Sequence, residues 1–475
     1  MRPLLPPLFA TIACIVSISG CAIVDPHNII GRTHVPPPFS DVPVPVVGGD
    51  AWKKDALDYV WNTVNEKYYD PKLNGVDWRA VRTQYEPKLL AAKTDDDYWE
   101  LLDKMTGELK DSHTRVHSPA QAALQRVNES HSLGFNFIEL DGALVVTNVS
   151  AESDAYWAGV RAGMVIKTIN AVPALALYRR LISEARDSST AWARSRGAVR
   201  KISSGEIDSR VEMSFIRADS GGTADSEISA TLKRRSFKSP PEFTQRVLPS
   251  GFGYIRFSNF LGFLEQDILS AIDKMKSTPG MIIDVRNNGG GSLWMSEQLI
   301  TKFLSDKTKG TKILTRTGRA PTLFFIETMK LEPELRGSKT TAYTHPLVIL
   351  TNQNSASASE VFSATLQDLG RATIIGTRSC GCLLGYMGYA DIPGGGQLAY
   401  SEMGFVTPKG KRVEGEGITP DVELPLARAD IVMNRDRALE AAVTYLKNKT
   451  SIAPVAPVAP IAPLAAVVPT AESAK

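Results

Sequence analysis

The sequence predicts a multi-domain α/β protein, and three observations predict it. Apolar residues recur at helical spacing over residues 50–112. A strand-rich stretch covers 130–235. From about residue 240, apolar strand runs alternate with helical ones as far as 447, the pattern of an α/β core. At 475 residues the chain is long enough for two or three units and a large core. The formal net charge of +3 is near neutral for this size and points away from nucleic acid as a partner.

The chain opens with Arg2 and an apolar stretch from Leu4 to Ile18 that ends in Ser19-Gly20-Cys21. It is short and interrupted by proline, so it reads as a secretory signal over 1–20, not as a spanning helix. The Ile-Ser-Gly-Cys ending resembles the bacterial lipobox. That implies cleavage before Cys21 and lipidation of its thiol, and Ala22 in place of Asp favours the outer membrane. Ordinary signal cleavage or a buried anchor is the alternative. Residues 21–48 carry PPPF and VPVPVV and read as an extended tether.

A helical domain is expected over 49–129. Leu57, Val60, Trp61, Val64 and Tyr68 share one face. Trp78, Val81, Tyr85 and Leu89 share a second, and Tyr98, Leu101, Leu102, Met105 and Leu109 a third. The aromatics read as core. The helices lead into Asp111-Ser112-His113-Thr114. A lone histidine after a helix is more often a cap, a core group or a surface residue than a catalyst. His117 and His131 receive no role.

Residues 130–235 resemble a PDZ domain. Ser132-Leu133-Gly134-Phe135 resembles the carboxylate-binding loop, whose backbone N–H groups accept a peptide C-terminus. Gly159 and Gly163 suit its turns. Residues 174–205 are charged, helix-prone and longer than a minimal PDZ needs, so they read as an insertion. The module could bind substrate, block the site or only pack.

Within 240–447, Gly253–Phe257 reads as a strand, Phe263–Met275 as a helix and Met281–Val285 as a buried strand. That strand leads into Arg286-Asn-Asn-Gly-Gly-Gly291. A glycine-rich turn after a strand can cradle phosphate, but no Gly-Lys-Ser/Thr follows, so a nucleotide site is disfavoured. Leu347–Leu350 is another strand. Thr351–Ser355 is a polar turn, a helix takes over from Ser359 and Gly370 stops it. A serine at such a turn lies at the positive end of a helix dipole, where it can cap the helix or serve as a nucleophile. Beyond residue 448 an Ala-Pro-Val repeat reads as a disordered tail, 448–475.

The string SASASE followed by QD-x-GRA-x-IIG closely resembles the nucleophile segment of the S41 serine peptidases, which include the carboxy-terminal processing proteases and the tricorn core proteases. The resemblance implies a ClpP/crotonase-like core of βαβ units. It makes Ser357 the nucleophile and Ala358 N–H an oxyanion donor, with a second donor from Gly290 or Gly291, Gly291 being slightly favoured. The processing proteases pair their serine with a lysine twenty-five positions on. Here that position is Cys382, and no lysine stands nearby. The tricorn-like branch uses histidine, a preceding serine and a distant glutamate. Ser112-His113 matches the pair, and Arg412-Val-Glu-Gly-Glu-Gly matches the late segment, with Glu414 the better candidate and Glu416 the runner-up. A solvated loop carboxylate is the plain alternative for either glutamate.

The expected mechanism has His113 take the Ser357 proton while Ser112 and Glu414 orient the pair. An imidazole at its reference value would place an acid limb about pH 6–7. No metal or cofactor is called for. Cys380 and Cys382 are expected as unbridged small residues in a tight loop, since cysteines two apart rarely meet bridging geometry and are too few for a zinc site. The resulting expectation is an endopeptidase of exported or envelope proteins. It would be lipid-anchored with its body in the periplasm and would take a protein or peptide substrate. An inactive peptide-binding scaffold and an esterase or amidase are the alternatives. Neither the particular substrate nor the oligomeric state can be read from the sequence.

Overall fold

The computed structural model describes Arg32 and residues 51–126, 129–217, 227–238, 241–323 and 326–450. The signal, Cys21, the tether apart from Arg32, and the tail beyond Thr450 lie outside the described residues.

Three helices come first: α1 (Ala51–Lys67), α2 (Trp78–Leu90) and α3 (Asp95–Gly107). Asp77 caps α2 by accepting from Arg79 N and Ala80 N, and Thr94 caps α3 by accepting from Asp97 N. Leu57, Val60, Val64, Trp78, Leu89, Tyr98, Leu102 and Met105 are buried as their periodicity requires, while Trp61 and Leu101 are only half-buried. The aromatics form the core: Trp52 stacks on Trp99 with ring centroids 5.0 Å apart. Leu384, Leu398 and Tyr400, far along the chain, complete this core, so the helical unit folds against the later one.

The second unit is an antiparallel sheet. Its strands are β1 (Phe135–Leu140), β2 (Ala143–Val149), β3 (Val165–Ile169), β4 (Arg210–Ile216) and β5 (Glu227–Lys233), paired in that order. The charged stretch after β3 forms two helices, α4 (Ala174–Glu184) and α5 (Ala191–Ser203), joined by a short connector. The end of α5 returns to the Ser132–Phe135 loop. There Ser203 O accepts Leu133 N at 3.1 Å, and Ser204 bridges Ser132. Gly134 N donates to Ser132 Oγ at 3.3 Å. Two donors of the carboxylate-loop motif, Leu133 N and Gly134 N, thus have partners: the inserted helix delivers a carbonyl to the first, and the loop's own Ser132 hydroxyl accepts from the second.

The third unit is built on six strands: β6 (Phe243–Val247), β7 (Gly253–Phe257), β8 (Met281–Asp284), β9 (Leu347–Thr351), β10 (Thr373–Gly376) and β11 (Val422–Glu423). They lie in that order, with β7 to β11 parallel and β6 antiparallel at one edge. Both faces are covered, which is why β8 and β9 read as unbroken apolar runs. Ile283, Ile349 and Ile374 face helices α6 (Gly262–Lys274), α7 (Leu293–Thr301) and α8 (Ala358–Asp368). Ile282, Val348, Leu350 and Ile375 face α9 (Arg437–Thr450). Adjacent parallel strands β8 and β9 thus place their carboxyl ends side by side.

Candidate active site

Two turns meet at those carboxyl ends. After β8, Arg286 is fixed by Asp284 and by Asp436, whose Oδ2 lies 2.8 Å from its Nη2. The chain then runs through Asn287–Gly291. After β9 comes the serine-rich turn, and hydrogen bonds of Val285, Asn287 and Asn288 stitch the two together. Ser355 Oγ donates to Val285 O at 2.7 Å, Ala356 N to Asn288 O at 3.0 Å, and Ser359 Oγ to Asn288 O at 2.9 Å. The outer serines of the string are therefore structural, which leaves Ser357 as the chemically distinct one.

Ser357 precedes α8 with φ +56° and ψ −119°. A non-glycine residue there carries about 1–3 kcal/mol of strain and persists only if its surroundings hold it. Its N–H donates to Cys382 O at 3.1 Å and to Glu360 Oε2 at 3.0 Å. Ala358 N and Gly291 N have no acceptor among the described residues. Gly290 N, by contrast, donates to Asn288 Oδ1 at 2.9 Å, so Gly291 is the better second oxyanion donor. Gly290 still has to be glycine: a Cβ there would lie 2.7 Å from Ser357 Cβ and 2.9 Å from Ala358 N.

Glu360 carries a role that sequence reasoning missed. It is fully buried and meets four donors: Ser357 N, Cys382 N, Gly381 N at 2.7 Å and Ser379 Oγ at 2.6 Å. Burial pushes its carboxyl up to about 7, and these donors pull it back. The signal was present as Ser357-x-x-Glu360, the spacing of a capping box.

The Asp111–Thr114 turn approaches from the helical unit. Asp111, buried, accepts His113 N at 2.7 Å and Ser401 Oγ at 2.6 Å, and also takes the Thr114 hydroxyl. Ser112 Oγ lies 3.5 Å from Cys382 Sγ and 2.9 Å from Ser188 Oγ. Ser112 N donates to Ser189 Oγ at 2.9 Å, and Ser189 N returns a bond to Ser112 Oγ at 3.2 Å. The α4–α5 connector is thus part of the site, which the sequence did not suggest.

His113 is half-buried, with Nδ1 buried and unpartnered, and its ring centroid lies 6.1 Å from that of Tyr386. Burial holds the imidazole below its ordinary value. Asp111 pulls the other way and Arg115 reinforces the depression. An acid limb set by this imidazole is therefore expected lower than one at the reference value. Among the described residues no hydrogen bond joins His113 to Ser357 Oγ; Ser112, next to His113, and Ser357 each contact Cys382.

Glu414 is buried and accepts Leu383 N at 2.5 Å through Oε2. Its Oε1 meets no strict hydrogen-bond partner, although the Ser189 hydroxyl favours the ionised form. Burial and then Asp111 push this carboxyl well up. Glu416 is exposed, because Gly415 and Gly417 at φ +78° and +72° make a turn where an extended segment would have placed both glutamates on one face. Lys409 and Lys411, the first lysines after Cys382, are also exposed.

The expectation for the cysteines is overturned: Cys380 and Cys382 form a disulfide. Gly381 at φ +67° folds the loop back and sets their Cα atoms 5.2 Å apart, within bridging range. Where the processing proteases would place lysine, this chain has a disulfide cysteine whose carbonyl holds Ser357 N.

Comparison with known proteins matches residues 251–424 to peptidase family S41 and residues 51–107 to the tricorn protease C1 domain. The chain is 28% identical over 388 residues to the chloroplastic C-terminal processing peptidase of Tetradesmus obliquus, covering 77% of this chain and 75% of that one. It is 25% identical over 419 residues to the carboxyl-terminal-processing protease of Picosynechococcus, covering 85% and 91%. The solved structure of mature CPAF complexed with lactacystin shares the fold, with a TM-score of 0.61 at 15% identity over 84% of this chain and 98% of that one.

Proposed function

The chain belongs to peptidase family S41 and is a serine-type peptidase, and on that premise we propose that Ser357 is its nucleophile and His113 its base. The observation that carries this reading is the strained Ser357 turn, with Ala358 N and Gly291 N left without acceptors beside it. Ser357 Oγ attacks a peptide carbonyl. The two N–H groups receive the oxyanion, a stabilisation that depends on donors already in place. His113 takes the hydroxyl proton and returns it to the leaving amine, and water then deacylates the enzyme. Its depressed basicity keeps it neutral, and so competent as a base, at physiological pH. Ser112 and Glu414 act by position: Ser112 fixes the turn beside His113, and Glu414 holds Leu383 and thereby the disulfide loop.

The catalytic unit is read as a ClpP/crotonase-like core and the antiparallel unit as PDZ-like. In that second unit the Ser132–Phe135 loop could take a substrate C-terminus only after the end of α5 had left it. Its present contribution is the connector that binds Ser112. The substrates are proteins or peptides of the cell envelope, reached from a lipid on Cys21. Among the described residues no helix is long and apolar enough to cross a membrane.

A fluorophosphonate probe with mass mapping tests the nucleophile. Labelling at Ser357, lost together with peptide hydrolysis in a folded Ser357→Ala variant, is expected. Labelling that persists in that variant, or maps to Ser355 or Ser359, would refute the assignment.

A further inference from the structure

By sequence Arg32 belongs to the proline-rich tether, yet its side chain is buried in the body of the protein. It is paired with Glu402, and the two side chains are only 1% and 5% exposed. Its Nη2 donates to Glu402 Oε1 at 3.1 Å and to the Tyr400 hydroxyl, and its Cζ lies 4.6 Å from the centroid of the Tyr400 ring. One rigid guanidinium fork thus engages two residues at once, which a lysine ammonium on a flexible stem does not reproduce.

Tyr400 and Glu402 flank Ser401 in the short link between the strands Gln397–Ala399 and Met403–Val406. Ser401 serves the His113 turn. Its Oγ donates to Asp111 Oδ2 at 2.6 Å and its N–H to Thr114 Oγ1 at 3.0 Å. Asp111 Oδ1 in turn accepts His113 N at 2.7 Å. Directly after that turn the strand Arg115–His117 pairs with Gln397–Ala399, with Arg115 opposite Ala399. Glu402 leads to the same place by a second route. Its Oε2 accepts Met387 N at 3.2 Å, and its N–H donates to Gly385 O at 2.8 Å. Tyr386 stands between those two residues, and its ring centroid lies 6.1 Å from that of His113. A buried carboxylate whose cation is removed is left uncompensated. Were Glu402 to turn towards water, the link would move with it, and with the link both Ser401 and the Tyr386 segment.

We propose that Arg32 is a positioning residue of the active site: through Glu402 and Tyr400 it fixes the link whose Ser401 holds the His113 turn. The proposal rests on His113 as the base. Arg32 acts through other residues, so its effect belongs to the chemical step: kcat and kcat/KM should fall together, with KM within about twofold of wild type.

Peptide hydrolysis by the full-length protein tests this with two replacements. Arg32→Met removes the cation alone. Arg32→Met combined with Glu402→Gln removes both charges and leaves an oxygen for Met387 N, so folding does not have to carry a buried unpaired charge. Each should lower kcat about 10- to 100-fold, the scale of displacements of about 1 Å at a reacting centre. Both are then repeated with His113→Ala. There the same replacements should change the residual rate less than about twofold, because the base that Arg32 positions is gone. An equal fall in both backgrounds shows a general loosening of the fold and overturns the proposal, as does full activity of the paired replacement. Failure of the base assignment looks different: His113→Ala would itself stay active, and the proposal would fall with it. An inactive His113→Ala beside unaffected Arg32 variants strikes the role of Arg32 alone.

Discussion

Replacing Glu360 by glutamine should remove a pH dependence of stability and cripple the protein as a catalyst. The carboxyl is fully buried, and burial pushes it up to about 7 from 4.5. The folded state therefore holds this proton more tightly than the unfolded state does. The group's contribution to stability is fully present below about pH 4.5, declines between about 4.5 and 7, and is gone above. A displacement of about 2.5 units corresponds to about 3 kcal/mol across that window. Glutamine does not titrate, so whatever its stability at pH 5, the variant should gain up to about 3 kcal/mol relative to the wild type between pH 5 and pH 8. Its chemistry should suffer for a different reason. Four donors converge on the carboxylate, and an amide nitrogen can replace only one of its oxygens by becoming a further donor. Ser379 Oγ can turn and accept, but Gly381 N and Cys382 N cannot, so the loop that holds Ser357 N must shift. Displacements of about 1 Å at a reacting centre cost about 100-fold in rate, so a 10- to 100-fold fall in kcat is expected. Urea unfolding at pH 5, 6, 7 and 8, with peptide hydrolysis measured in parallel, reads both. A variant that follows the wild-type pH slope and keeps its activity refutes the role given to Glu360.

Two further outcomes are expected. His113→Ala should lower kcat by about 10³-fold or more, as loss of a triad base does. Because the base must be neutral and burial favours the neutral form, the wild-type acid limb should fall below about pH 6.5; a limb above pH 7, or an active alanine variant, contradicts this. Cys21→Ser should release the protein from membranes or leave an unprocessed precursor, and a soluble, unlipidated wild-type protein would remove the case for an anchor.

What the sequence made legible was local, and the reason is physical. Gly253–Phe257 is a strand as expected, and the segment from Leu347 to Gly376 is strand, turn, helix, strand. In each case a short apolar run and its turn residues determine the element without help from distant parts of the chain. The Ser357 turn could be recognised for the same reason, since β9, the serines and α8 are contiguous. Ser112 finds Ser188 across 76 residues and Cys382 across 270, and no periodicity encodes such a meeting. The disulfide was misjudged because its feasibility depends on the φ of Gly381, which the surrounding loop imposes. The Ser132–Phe135 motif specifies donors and does not say who accepts from them; the insertion supplies an acceptor for Leu133 N. The inserted helix α5 runs between these two places: its end meets the Ser132–Phe135 loop, and its start is tied to Cys380 beside the nucleophile turn.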